Sequence, residues 1–247
     1  MSGRFHEPVR MWEGASQGHE VTGLRHEGLK FEVLGMGVDL LAARLGGVGA
    51  DLAHHIEDLA HHADWGVAVR AEAHGRVQRE RGRTVVRYRP TRRDVARFRR
   101  GLRVMGEMML AAGAEVVDPG VRGFDRAVDD PRRLRHLEER GPRSAAAFTA
   151  AITHMFGTAR MGSDPARSVV GPDFSHHNVA ALHVADSSVF PTNIGVNPQI
   201  PIMALAVLCA RRVAGVDLDQ TTATDATATT TTGVAPPHRP APTEDPR

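Results

Sequence analysis

Between Pro201 and Val213 the sequence reads PIMALAVLCARRV, apolar on nearly every side until Arg211 and Arg212, with Gly215 just beyond. This pattern predicts a helix with a cationic last turn and a glycine stop, and a helix apolar all round belongs in an interior. Any fold for this chain therefore has to cover it. The segment is too short to be a membrane span, and no stretch of the chain reaches the eighteen or so uninterrupted apolar residues that such a span needs. Met1 to Arg10 holds no apolar signal-peptide core, and Cys209, the single cysteine, cannot form an intramolecular disulfide. A soluble chain with no transmembrane segment, at a cytoplasmic address, is the expectation.

Upstream, Val95, Phe98, Leu102, Met105, Met109 and Leu110 fall at helical spacing behind a capping-box-like start formed by Thr91 and Asp94, and Gly113 closes the stretch. Gly66 to Glu72 and Arg83 to Arg89 are β-prone and flank charged, glycine-bearing sequence around Gly75 and Gly82, which predicts strands joined by a hairpin. Leu34 to Leu59 reads as helix with glycine interruptions, and Val21 to Val33 and Ala114 to Val117 read as extended. Mixed helices and strands imply an α+β domain. With 247 residues and 41% hydrophobic content, one sizeable core is expected. The last residues, 216–247, are largely Thr, Ala, Pro and Asp and are expected to form a disordered tail.

Charge narrows the range of partners. The net charge is only +2 although the sequence pI is near 9.3, because Lys30 is the only lysine and the other basic residues are arginines, which keep their charge to high pH. So small a net charge gives little long-range field, and the arginines between Arg76 and Arg103 alternate with apolar residues without interleaved stacking aromatics. They read as a solvated face, so no nucleic acid is expected as a partner. His54, Asp58 and His62 stand at i, i+4 and i+8, a spacing that would place them on one helical face. No cysteine or H-E-x-x-H pattern supports a metal there, so a solvated face is again the reading. Cys209, inside the apolar helix, reads as packing rather than as a nucleophile.

Chemistry concentrates between His154 and Ala210. The segment runs His154-Met-Phe-Gly157-Thr158-Ala-Arg160-Met161-Gly162, then Asp164-Pro165, Ser168-Val-Val, Val184-Ala-Asp186-Ser187-Ser-Val-Phe-Pro191-Thr192 and Gly195-Val-Asn197-Pro198-Gln199. Asn197 stands where an N-cap belongs and Pro198 where the first helical residue belongs. The positive end of the apolar helix would then face whatever precedes it, favouring an anion or an electron-rich ring. A nucleotide site of the usual kind is not encoded nearby. Gly35-Met-Gly37 and Gly46-Gly47-Val-Gly49 lack the third glycine and the preceding strand of the G-x-G-x-x-G fingerprint.

The order H-x-x-G-T-x-R-M-G, D-P, S-V-V, V-A-D-x-S-V-F-P-T and G-V-N-P before an apolar helix resembles the C-terminal signature of the glucose-methanol-choline oxidoreductases, and weaker similarity extends over 7–215. The resemblance implies a substrate domain built on an antiparallel β-sheet with flanking helices, with 154–210 contacting FAD. It implies that His154 accepts the proton of an alcohol hydroxyl while hydride passes to the flavin, and that Asn197 bonds the substrate oxygen beside the cofactor. Asp186, Ser187, Asn197, Pro198 and Gln199 match cofactor-lining positions. Against the family pattern, this chain carries Gly171-Pro172-Asp173-Phe174 after S-V-V and lacks the N-terminal FAD-binding half, so a separate FAD-binding polypeptide is the expected partner. The upstream similarity leans toward long-chain or sterol-like alcohols, with Met105 to Leu110 as pocket lining or core. The competing expectation is a truncated, non-catalytic remnant or an interaction module that keeps the fold.

Overall fold

The computed structural model describes residues 1–13, 17–35, 37, 39, 47–151 and 153–216. Among them, seven strands and four α-helices are arranged as an α+β domain. A five-stranded antiparallel sheet has the order β2 (Glu20–Val21), β3 (Leu29–Leu34), β4 (His62–Val69), β1 (Ser2–Phe5), β7 (Ala114–Asp118). β1, which precedes the expected domain start at residue 7, is paired on both sides, with β4 and with β7. Helix α1 is Ala50–Glu57, α2 is Arg92–Ala111, α3 is Pro131–Arg140 and α4 is Gln199–Val213.

The long helix α2 lies across the sheet, and its capping box forms as predicted. Thr91 Oγ1 accepts from the Asp94 amide at 3.0 Å, and the Asp94 carboxylate accepts from the Thr91 amide at 2.8 Å. Its inner stripe of Val95, Leu102, Met105 and Met109 meets Leu29 and Phe31 of β3, Val117 of β7, and Leu134 and Leu137 of α3. Met105 and Met109 are fully buried, so the stripe packs as core. Two glycines allow the close approach: a Cβ at Gly101 would stand 2.6 Å from Val67 Cγ2, and one at Gly106 would stand 2.8 Å from Leu134 Cδ1. On the outer side, Arg97, Arg100 and Arg103 are engaged with Glu72, Glu27 and Glu138 respectively.

Several expectations need correction. The hairpin does not join Gly66–Glu72 to Arg83–Arg89. Instead β4 lies inside the main sheet, and β6 (Arg83–Arg87) pairs with β5 (Arg76–Glu80), a strand too charged and too exposed to carry an apolar alternation. Arg81 and Gly82, at φ 48° and 79°, make the two-residue turn whose twist suits a hairpin. His54, Asp58 and His62 share no helical face, because α1 ends at Glu57 and His62 begins β4. Among the described residues no cluster of three or more His, Cys, Asp or Glu is placed to hold a metal ion. The helix predicted over Leu34 to Leu59 lies partly outside the described residues; within them, Leu34 ends β3 and the α-helical residues are Asp39 and those of α1. From residue 217 on, the expected tail also lies outside them.

Helix α4 forms where predicted and ends in a Schellman arrangement, with Gly215 donating to Arg212 O at 3.1 Å and Val216 to Arg211 O at 2.9 Å. Its surroundings differ from the prediction. Of its residues only Cys209 is buried, and Ile200, Met203 and Val207 are 73%, 55% and 52% exposed. The apolar pattern asks for a cover that the described residues do not supply. Among those residues no helix is long and apolar enough to cross a membrane.

His62 sits in the sheet with Nδ1 3.3 Å from Ser2 Oγ, while Nε2 is buried without a hydrogen-bond partner, 3.8 Å from Asp58 Oδ2. Burial pushes its imidazole below the ordinary value, although Asp58 pulls the other way. The unfolded chain then takes up a proton near pH 6.5 where the fold resists it. The stability this gives is complete above that pH and is lost as pH falls through the lowered folded value. Thermal melts from pH 7.5 down to 5 are expected to show that loss, and His62→Gln is expected to remove it; an unchanged profile in the variant would assign the acid sensitivity elsewhere.

Candidate active site

Alternation along β3 gives its two faces different work. Leu29 and Phe31 point at α2, so Lys30 and Glu32 point the other way. Their cross-strand partners on β4 are Ala68 and Gly66, small residues that leave the floor above this face open. A cleft of about 2000 Å³ borders the sheet, and Lys30, Glu32, Gly66, Ala68, His154 and Asn197 are among its lining, as are Leu29, Val95 and Met105 from the α2 side. Residues from opposite ends of the sequence thus meet in one space.

His154 arrives on an irregular segment held from below. Gly157, at φ 80°, turns the chain, and Phe156 packs edge-on against Phe190 with ring centroids 5.5 Å apart. Ala159 donates to Ser188 O at 3.1 Å and Met161 to Val189 O at 2.9 Å, so the two motif segments are stitched together backbone to backbone. Asp186 secures the second segment. It caps the short 3-10 turn Ser187–Val189 by accepting from the Ser188 amide at 2.8 Å. His154 is exposed and has φ 53°, a conformation that histidine adopts more readily than most residues and that here aims the chain at the cleft.

Asn197 does not cap α4. Pro198 occupies the N-cap position, Gln199 begins the helix, and no side chain satisfies the first turn. The Asn197 amide is instead tied to β3: Lys30 Nζ donates to its Oδ1 at 2.7 Å, and its Nδ2 donates to Glu32 Oε2 at 3.0 Å and to Gln17 Oε1 at 3.3 Å. The cap reading lost to a stronger set of partners, two of them charged. His154 and Asn197 both line this cleft, whereas Asp186, Ser187, Pro198 and Gln199 are not among its lining residues. Lys30 and Glu32 were missed. Their signal, a charged pair two residues apart in an otherwise apolar strand and including the only lysine, was present in the sequence.

The first turn of α4 has no capping side chain for the amides of Gln199 and Ile200, and Pro201 has no N–H. The profile of the family described as GMC oxidoreductase matches residues 70–206. The chain belongs to that family. GMC enzymes are flavoprotein oxidoreductases, and the match covers the cleft-lining segments from Arg70 to Asn197. An uncharacterized GMC-type oxidoreductase of Mycobacterium tuberculosis is 31% identical over 213 residues, which are 85% of this chain and 33% of that protein. A long-chain-alcohol oxidase of Arabidopsis thaliana is 30% identical over 130 residues, 50% of this chain and 18% of that one. Among solved structures, pyridoxine 4-oxidase from Mesorbium loti aligns with a TM-score of 0.49 and 20% identity, covering 77% of this chain and 35% of that one. This GMC chain spans about a third of the length of its mycobacterial relative.

Proposed function

We propose that this GMC chain supplies the substrate side of an FAD-dependent oxidation of an alcohol CH–OH group, with His154 as the base and Asn197 holding the substrate oxygen. The observation that supports the reading is that His154 and Asn197, from separate motif segments, both line one cleft. His154 takes the hydroxyl proton, a role suited to imidazole because as a class it titrates near neutrality. Asn197 donates from Nδ2 to the same oxygen, exchanging its longer contact with Gln17 for the substrate. When bound, a flavin would supply the two-electron acceptor for the hydride of the carbinol carbon, leaving a carbonyl compound. Gln199 and Ile200, beyond the cleft's lining at the start of α4, carry the uncapped amides that would be available to the flavin ring.

The chain contains no glycine-rich fingerprint for the adenosine and pyrophosphate of FAD, and the exposed apolar side of α4 supports a flavin-binding polypeptide packed against it. The long-chain-alcohol oxidase among the relatives supports an extended alcohol as substrate. That same exposed helix also favours a second reading, a fold retained for association without turnover. One experiment separates the two. The chain is expressed alone and together with the N-terminal two-thirds of the mycobacterial relative, and flavin absorbance and its anaerobic bleaching by long-chain and short alcohols are recorded. Bleaching in the complex is the expected result; bound flavin that no alcohol bleaches would leave the association reading standing.

A further inference from the structure

Lys30 is the only lysine, is 4% exposed, and takes no part in the chemistry just described. Its ammonium donates to Glu32 Oε2 at 2.6 Å and to Asn197 Oδ1 at 2.7 Å, with Glu20 Oε2 at 3.5 Å completing its surroundings. An ammonium can only donate and a carboxylate can only accept, so the Asn197 atom facing Lys30 must be the carbonyl oxygen and the one facing Glu32 must be the NH₂. We propose that Lys30 and Glu32 are positioning residues that lock the side-chain amide of Asn197 in one of its two flip states, making it an obligate hydrogen-bond donor to the substrate oxygen. The proposal rests on the reading of Asn197 given above.

The lock has a direct chemical use. An unconstrained asparagine can turn either edge toward a ligand, and an edge that presents its carbonyl would repel an alkoxide. With Oδ1 turned to Lys30 and one N–H held by Glu32, the remaining N–H is the one donor left to offer. It meets Gln17 at 3.3 Å, the longest of the three contacts and the one on the exposed side. Lys30 and Arg25 offset Glu32 and Glu20, with which they pair, so the cluster fixes the amide without adding a net charge that would hold an anion in the ground state. The strand makes this arrangement inexpensive: residues two apart on β3 share a face, and Ala68 and Gly66 opposite them leave room for the amide to come down between.

The test starts without flavin. Labelling with ¹⁵N-lysine gives one ammonium signal, expected in slow exchange with solvent. The two side-chain amide signals of Asn197, identified by their loss in Asn197→Asp, are expected to be hydrogen-bonded and distinct. In Lys30→Met they are expected to shift and to exchange roughly tenfold faster, as after the loss of a charged hydrogen bond. In the flavin-loaded complex, Lys30→Met is expected to lower kcat by about 100-fold through misplacement of the donor, with KM little changed, and Lys30→Arg to recover part of that loss. Asn197 signals unaltered by Lys30→Met, or a Lys30→Met complex with wild-type kcat, would overturn the proposal while leaving the roles of His154 and Asn197 intact. Wild-type reduction in Asn197→Asp would instead remove Asn197 from the reaction. Should Lys30→Met fail to fold, the wild-type ammonium signal decides, because exchange at the rate of a free lysine side chain overturns the lock.

Discussion

Replacing His154 with alanine in the flavin-loaded complex is expected to slow the bleaching of the flavin by alcohol about 100- to 10,000-fold, the usual contribution of a positioned general base, while oxidised flavin stays bound. The separation of these two effects follows from how the segment is built. The backbone bonds from Ala159 to Ser188 and from Met161 to Val189, and the Phe156–Phe190 contact, hold the loop without using the imidazole. Truncation at Cβ therefore removes a proton acceptor and leaves the wall in place. His136→Ala, on the exposed side of α3 and not among the cleft's lining, is the control and is expected to reduce flavin at the parental rate. Equal rates for the His154 variant and the parent would remove this residue from the chemistry.

The largest effect on stability is expected at Asp94. Its carboxylate accepts from the amides of Thr91 and Glu72 at 2.8 Å and of Ala73 at 3.2 Å, and it is 4% exposed. Burial alone would raise this carboxyl, but those three amides and the Thr91 hydroxyl outweigh it, and the group lies below the ordinary aspartate value. Asp94→Ala keeps the Thr91 cap but loses the reciprocal half of the capping box and strands the amides of Thr91, Glu72 and Ala73, which together cost about 3 kcal/mol, a large fraction of a typical stability of about 5–15 kcal/mol. Asp94→Asn keeps one acceptor and is expected to fall between. The contribution is present above the unfolded aspartate value of about 3.9 and is lost as pH falls through the lower folded value. Urea titrations of the three proteins at pH 7 measure the difference; a midpoint for Asp94→Ala within error of the parent would show that the bonds carry no net stability. Because Glu72 and Ala73 border the cleft, the variant is also expected to loosen its wall.

Local signals were readable from the sequence and long-range ones were not. Thr91 and Asp94 announce the start of α2 because a capping box is complete within four residues. The extended run expected over Val21 to Val33 covers β3 as far as Val33 but is broken by a 3-10 turn at Arg25–Glu27, and the motif segments single out His154 and Asn197 by type and order. By contrast, β5 was hidden because Arg76–Glu80 is exposed throughout and so carries no burial pattern. The N-cap assigned to Asn197 was reasonable from its neighbours, and it failed because its partners, Lys30 and Glu32, lie 167 and 165 positions away. The apolar pattern of α4 predicts a buried helix, yet among the described residues only its Cys209 is buried, because a pattern cannot say what covers a surface.

The anchoring of Asn197 to β3 rather than to its own helix bears on assembly. Any surface that comes to rest on α4 must immobilise that helix, and ordering flexible groups at an interface subtracts from the affinity of the union. Asn197 adds nothing to that penalty. Its amide is already immobile on the sheet before α4 is covered, so an incoming flavin-bearing surface would meet a polar contact set in advance, and the entropy of arranging it is charged to folding rather than to association.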